Sequence, residues 1–232
     1  IMNRKKTIVV TGGGGMLGQA VLEQFSGAWN VRAEYFDVTK PSDVASYIKK
    51  AKPDAIIHLA AMTDLEYCEL HPTEAYDVNA LGVAHILTQA RTLNIPFVHI
   101  STAAIFNGKK ESYREHDAPE ALSVYGKSKY AGEVIARSYF KSIIVRGGWM
   151  MGGGPRKDKK FVNKIMQRIR AGVAELPIVD DKIGSLTYTR DLAQTLEYLL
   201  SHHKYGLYHC VCDGGVSRFD IAQFIVRRLG LD

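Results

Sequence analysis

The sequence predicts an α/β protein: a doubly wound parallel sheet followed by a small C-terminal lobe. Three observations predict it. A β-branched run at residues 7–10 passes directly into a glycine cluster and then into a helical stretch at 19–25, the strand–turn–helix opening of such sheets. Strand and helix patterns then alternate to about residue 150, as in a sheet covered on both faces. Beyond that point the alternation weakens. The expected division is a first domain over residues 1–150, with 184–205 packing back on it, and a lobe built from 151–183 and 206–232.

The elements follow in order. Residues 7–10 form a buried strand and 19–25 a helix; short strands are expected at 31–33 and 35–38. Residues 41–50 read as a helix with Ser42 as N-cap, and 55–59 as a buried strand. A long helix at 73–93 and a strand at 96–100 place Ser101 and Thr102 at a strand's carboxyl end, where open α/β sheets bind ligands. A polar loop spans 107–119, a helix 123–138 and a strand 142–146. In the lobe, helices are expected at 161–171 and 189–200, strands at 177–179 and 207–211, and a last helix after Ser217.

Composition narrows the partners. The 232 residues are 46% hydrophobic and 23% charged, an ordinary globular balance. No apolar run approaches the roughly 18 residues of a membrane span. The basic start Arg4-Lys5-Lys6 is followed only by a brief apolar run, too short for a signal peptide, so a cytoplasmic protein is expected. The three cysteines, Cys68, Cys210 and Cys212, lack metal-ligand spacing and read as reduced thiols; no metal is expected. The net charge of +6 comes from scattered residues, apart from Arg156-Lys157-Asp158-Lys159-Lys160. No aromatic-interleaved basic stripe accompanies it, so nucleic acid is not an expected partner. An anionic small molecule, or simply a basic surface, accounts for the charge.

Two motifs carry chemistry. Gly12, Gly15 and Gly18 follow a strand and open a helix. Such glycines permit a tight turn, close approach of backbone N–H groups to a pyrophosphate, and close helix–strand packing, which marks a Rossmann-type dinucleotide site. Tyr125 and Lys129 lie four residues apart and so share a helix face. A neighbouring ammonium lowers a phenol's pKa and makes it a better proton donor. His58 and His99, in apolar strands, read as satisfied core histidines.

Together, the glycine motif, Ala60-Ala61, Val78-Asn79-Ala80, Ser101-Thr102 and Tyr125 to Lys129 with Gly132-Glu133 resemble the extended short-chain dehydrogenase/reductase superfamily. Within it the chain is most similar to the dTDP-4-dehydrorhamnose reductase family. Residues 53–63, Tyr113-Arg114-Glu115-His116-Asp117, Arg146-Gly147-Gly148-Trp149, residues 184–193 and residues 206–221 carry that similarity. The family usually continues some tens of residues further, so part of the substrate lobe is expected to be missing. Ala103-Ala104 stand where the family has Asp-Tyr, Leu186 replaces a proline, and Gln19 replaces an acid linked to a metal-bridged dimer. Ala103-Ala104 also lack the acid that nucleotide-sugar dehydratases need for elimination.

The resemblance implies a reductase of a nucleotide-linked 4-keto-sugar, most specifically dTDP-4-dehydrorhamnose to dTDP-rhamnose, using NADP or NAD. It implies Thr102, Tyr125 and Lys129 as catalytic residues, with Ser101 as the weaker candidate for holding the substrate oxygen. Cofactor-binding residues are Gly12, Gly15, Met16, Leu17, Asp37, Val38, Leu59, Ala60, Ala61, Asn79, Tyr125 and Lys129; substrate-binding residues are Thr63, Leu65, Ala103 and Trp149. Asn79 is expected to order backbone rather than react. Arg32 or Glu34 is expected to choose between the two cofactors, with NADPH favoured. The alternatives are an NAD-retaining nucleotide-sugar epimerase and a non-catalytic cofactor-binding regulatory subunit. A homodimer is compatible with the resemblance.

Overall fold

The computed structural model describes residues 4–158 and 160–231. The chain opens on β1 (Thr7–Thr11), all five residues of which are buried. A strand with no solvent face belongs at the centre of a parallel sheet. α1 (Met16–Phe25), β2 (Asn30–Arg32), α2 (Pro41–Ala51) and β3 (Ala55–His58) follow. Then come α3 (Leu65–Leu70), α4 (Pro72–Tyr76), a π-turn (Asp77–Leu81) and α5 (Gly82–Thr92). β4 (Phe97–Thr102), a 3-10 turn (Ala103–Ile105), α6 (Val124–Arg137) and β5 (Ser142–Gly147) complete the regular part. The remainder is β6 (Trp149–Met151), α7 (Gly154–Lys157), α8 (Phe161–Arg170), β7 (Ile183–Gly184), β8 (Leu186–Tyr188), α9 (Thr189–Ser201), β9 (Gly206–His209), β10 (Val216–Ser217) and α10 (Arg218–Arg228).

The central sheet has the order β2-β1-β3-β4-β5-β9, and every pairing is parallel. Alternate strand residues feed two cores. Ile8, Val10, Ile57, Val98 and Val145 pack with Phe25 of α1 and Leu196 of α9. Val9, Ile56, Phe97 and Ile144 pack with Ile48 of α2, Ile86 of α5 and Ala136 of α6. The strand order reverses between β1 and β3, which opens a crevice at their carboxyl ends.

Five expectations are corrected. Residues 35–38 do not form a strand. The Asp37 carboxylate accepts hydrogen bonds from the Thr39 N–H at 3.0 Å and the Thr39 hydroxyl at 2.7 Å, and this local turn ends any pairing. Lys40, not Ser42, occupies the N-cap of α2, because Pro41 fills the first turn. Residues 177–179 are also not a strand; Pro177 has no N–H for a ladder, and pairing begins only at β7, against β10. Finally, β9 is not part of the lobe: it pairs with β5 at the edge of the central sheet. The long helix expected at 73–93 is interrupted by the π-turn, and the cap at Ser217 is reciprocated by Asp220.

α6 is pressed unusually close to its neighbours. A Cβ on Gly126 would lie 2.3 Å from the Ala104 carbonyl oxygen, and one on Gly132 would lie 2.1 Å from that of Asn79. Between these contacts and the sheet sits Glu133, fully buried. Its carboxylate accepts hydrogen bonds from the Ser101 hydroxyl at 2.7 Å and from Arg146 Nε at 2.9 Å and Nη2 at 2.6 Å. Arg146 Nη1 also donates to the Glu115 carbonyl at 2.9 Å. The helix is thus bound to β4, to β5 and to the loop that precedes it.

Two stability outcomes follow. Gly132→Ala is expected to lower the thermal midpoint by about 5 °C, because the Asn79 backbone cannot yield without moving the π-turn. Glu133→Ala strands a buried guanidinium and is expected to lose about 3 kcal/mol in urea unfolding.

Candidate active site

The glycine loop begins where β1 ends. Gly12 has φ +67°, and a Cβ there would meet the Ala60 nitrogen at 2.6 Å and the Leu59 carbonyl carbon at 2.7 Å. A Cβ on Gly18 would meet the Gly12 carbonyl oxygen at 2.4 Å. Both positions therefore require glycine. Gly15 is the N-cap of α1, and its N–H donates to the Gly12 carbonyl at 3.0 Å. The first turn of α1 carries no acidic residue and no side-chain cap, which leaves its amide groups available to an anion.

The predicted cofactor residues divide by what they can offer. Gly12, Gly15, Met16 and Leu59 to Ala61 converge at the β1/β3 carboxyl ends. Leu17 and Val38 have side chains committed to the core, so only their backbones remain available. The Asp37 carboxyl, held below its usual pKa by its bonds to Thr39, lines a shallow surface hollow with Phe36, Lys40 and Tyr47. Asn79 donates to the Met62 carbonyl and to Ser128 Oγ, each at 3.0 Å, and accepts from the Met62 N–H at 2.9 Å. Both amide protons are used, so Asn79 shapes the crevice through Met62.

α6 brings the reactive groups together. Ser123 caps it by accepting from the Gly126 N–H at 3.1 Å. The Thr102 hydroxyl lies beside the Tyr125 phenol and pulls its pKa down. Thr102 Oγ1 also accepts from the Ala104 N–H at 3.1 Å. Ser101, in contrast, spends its hydroxyl on Glu133. Of the two candidate hydroxyls, Thr102 alone is thereby set beside Tyr125.

The electrostatics differ from the expectation. Burial raises the Tyr125 pKa, and the group that pulls it back is Thr102, not Lys129. Lys129 is only 3% exposed, and burial brings its pKa down to about 8 against the opposing pull of Glu133. The cation is itself strained by desolvation, so it is not the spare charge the spacing suggested.

Other expected residues have mixed placements. Thr63 accepts from Lys160 Nζ at its carbonyl, 3.1 Å, and its hydroxyl, 3.3 Å. Leu65 and Ala103 are exposed. The Trp149 ring packs against Gly184 and lies 5.4 Å from the Arg218 guanidinium. Sequence reasoning assigned no role to the Glu133–Arg146 pair, although a charge closing the apolar run 143–145 was a visible signal. It also left the basic run open between an anionic partner and a plain basic surface. Lys157 Nζ donates to the Gly14 carbonyl at 2.9 Å, so the lysine seats that run on the glycine turn; Lys159 lies outside the described residues. His58 and His99 are buried, but His58 Nε2 and both His99 ring nitrogens have no hydrogen-bond partner among the described residues, which corrects their reading as satisfied. The three cysteines are unpaired. Among the described residues no cluster of three or more His, Cys, Asp or Glu is placed to hold a metal, and no helix is long and apolar enough to cross a membrane.

Comparison with known proteins gives this geometry its context. A family profile described as "RmlD substrate binding domain" matches residues 6–232. The spore coat polysaccharide biosynthesis protein SpsK of Bacillus subtilis is 34% identical over 231 residues, covering 97% of this chain and 80% of that protein. The dTDP-4-dehydrorhamnose reductase of Mycobacterium tuberculosis is 32% identical over 240 residues, covering 99% of this chain and 77% of that protein. The crystal structure of dTDP-4-dehydrorhamnose reductase from Bacillus anthracis, in complex with NADP, superposes with a TM-score of 0.93 at 30% identity, covering 100% of this chain and 84% of that one. The glycine crevice, the Tyr125–Thr102 contact and a similarity that runs the length of the chain lead to one assignment: this protein belongs to the RmlD substrate binding domain family.

Proposed function

We propose that the protein is an NADPH-dependent oxidoreductase that reduces a nucleotide-linked 4-keto-sugar, dTDP-4-dehydrorhamnose to dTDP-rhamnose, in the cytoplasm. The observation that carries this reading is the juxtaposition of the Tyr125 phenol with Thr102, with the buried amine of Lys129 one helical turn along. The relatives named as dTDP-4-dehydrorhamnose reductases support the substrate. The cradle fits a dinucleotide, because Gly12 and Gly18 let the turn close tightly on the strand and the acid-free, uncapped first turn of α1 offers its amides to a pyrophosphate. Gly12, Gly15, Met16 and Ala60 would hold the cofactor there, and NADPH would supply the hydride for the carbonyl carbon.

The chain's own groups handle the oxygen. Thr102 orients it by hydrogen bonding. The raised pKa of Tyr125 keeps the phenol protonated at neutral pH, which is the state a proton donor needs. As negative charge develops on the substrate oxygen, the phenol transfers its proton. The Lys129 ammonium then stabilises the phenolate. Lys157 and Lys160, seated on Gly14 and Thr63, bring positive charge to the rim where a diphosphate would lie.

The end of β2 favours NADPH over NADH. Glu34 is bonded to the Tyr47 hydroxyl and paired with Arg32 Nη1 at 3.3 Å. Its carboxylate is thus engaged by Tyr47 and Arg32. Arg32 keeps unused N–H donors for a 2′-phosphate.

The test follows NADPH absorbance with dTDP-4-dehydrorhamnose. Net oxidation with formation of the 4-hydroxy sugar is expected. Sugar interconversion without cofactor consumption would indicate an epimerase, and neither activity would indicate a binding subunit. Tyr125→Phe is expected to lower kcat by about 1,000-fold while cofactor affinity, measured by fluorescence titration, stays near wild type. Thr102→Val is expected to lower kcat by about 100-fold. Arg32→Ala is expected to cut the NADPH-over-NADH preference in KM by about tenfold.

A further inference from the structure

The mechanism above leaves two buried titratable groups unused. His99 is fully buried and His58 is 1% exposed. They face each other across β3 and β4, in register, with ring centroids 5.9 Å apart. Phe97 lies nearly parallel to His99 at 6.3 Å. The tautomer of His58 follows from its neighbour. Thr11 Oγ1 accepts from the Ala60 N–H at 3.1 Å and the Leu59 N–H at 3.2 Å. Its one proton is then left for His58 Nδ1, 2.8 Å away. Nδ1 is the acceptor, so Nε2 carries the proton of a neutral ring.

That Nε2–H and both nitrogens of His99 have no partner among the described residues. Leaving a buried polar atom unbonded is costly, so three together in one sheet face demand a reason. α6 lies against β4 on that face. Lys129 is the charge that reaches both rings, and it opposes their protonation. The titratable group that acts on the amine is Glu133, and the groups next to it in turn are Tyr125 one turn back on α6, Cys68 of α3 beside Tyr125, and Arg146 of β5 bonded to Glu133. Glu133 is committed to Ser101 and Arg146, Cys68 to the Met62 carbonyl at 3.9 Å, and the Tyr125 phenol lies beside Thr102. The lone pair of a neutral imidazole is the acceptor still uncommitted.

We propose that His99, backed by the Thr11-locked His58, is a positioning residue for Lys129: its ring accepts a hydrogen bond from the ammonium through one buried water and holds the amine charged inside the protein. The catalytic role of Lys129 rests on the reading above, whereas its contact with His99 does not. Two neutral rings supply polarity without adding a second negative charge to that of Glu133. They are kept neutral by burial and by the cation itself.

The test titrates the amine directly. Protein labelled with 13C at lysine Cε is followed by NMR, with the Lys129 signal assigned by its loss in Lys129→Arg. A wild-type midpoint near 8 is expected, following the burial of the amine. His99→Leu is expected to lower that midpoint by at least about one unit, and His99→Gln, which keeps a polar acceptor, to restore most of the shift. Ser142→Ala, which removes a partnerless buried hydroxyl two registers away on the same face, is expected to leave it unchanged. Equal midpoints in wild type and His99→Leu would overturn the proposal, as would an equal fall in His99→Leu and His99→Gln. Should His99→Leu not fold, His99→Gln and the 15N shifts of the wild-type His99 ring decide: a ring with neither nitrogen hydrogen-bonded overturns it. No step reads turnover, so a chain without reductase activity would refute the enzymatic reading while leaving this result interpretable.

Discussion

The placement of α6 depends on one buried ion pair. Glu133 has no access to water and meets Arg146 through two nitrogens and Ser101 through its hydroxyl. An isolated carboxylate at that depth would be untenable, whereas a fully hydrogen-bonded one locks direction and register. The lock acts with Gly126 and Gly132, whose missing side chains let the helix touch the backbone of the 3-10 turn and the π-turn. Tyr125 and Lys129 stand on the helix so fixed, and the phenol reaches Thr102 as a result.

The same constraint shapes the electrostatics. A helix pressed this closely against a sheet buries Lys129 and partly buries Tyr125. Burial raises the phenol's pKa and brings the amine's down, so each neutral form is favoured in the absence of partners. The site must therefore supply polar contacts of its own. Thr102 does so for the phenol. Around the amine, the structure supplies Glu133 and, beneath it, two histidines with free ring nitrogens. The buried polar layer between β3, β4 and α6 is thus better read as part of the site than as an irregularity of the core.

A second set of contacts joins the lobe to the crevice. Lys157 and Lys160 bond to Gly14 and Thr63, and Gly153 packs on Met16, where a Cβ would lie 2.9 Å from Cγ. The basic run thereby spans the glycine loop and the segment after β3. Charge whose role the linear chain left open is gathered on one rim.

By itself, the sequence determined the elements whose cause is local. The β-branched run before the glycines, the four-residue spacing of Tyr125 and Lys129, and the cap at Ser217 depend on near neighbours and periodicity, and each was legible. The resemblance to a reductase family was legible for the same reason, because it resides in short motifs. Only the tertiary structure decided what depends on residues far apart in the chain. It assigned β9 to the central sheet, gave Ser101 to Glu133 and Thr102 to Tyr125, and left His58 and His99 without protein partners beside Lys129. Spacing along a helix reports which groups share a face, but the pKa of those groups is set by desolvation and by partners from other strands, and neither exists until the sheet is assembled.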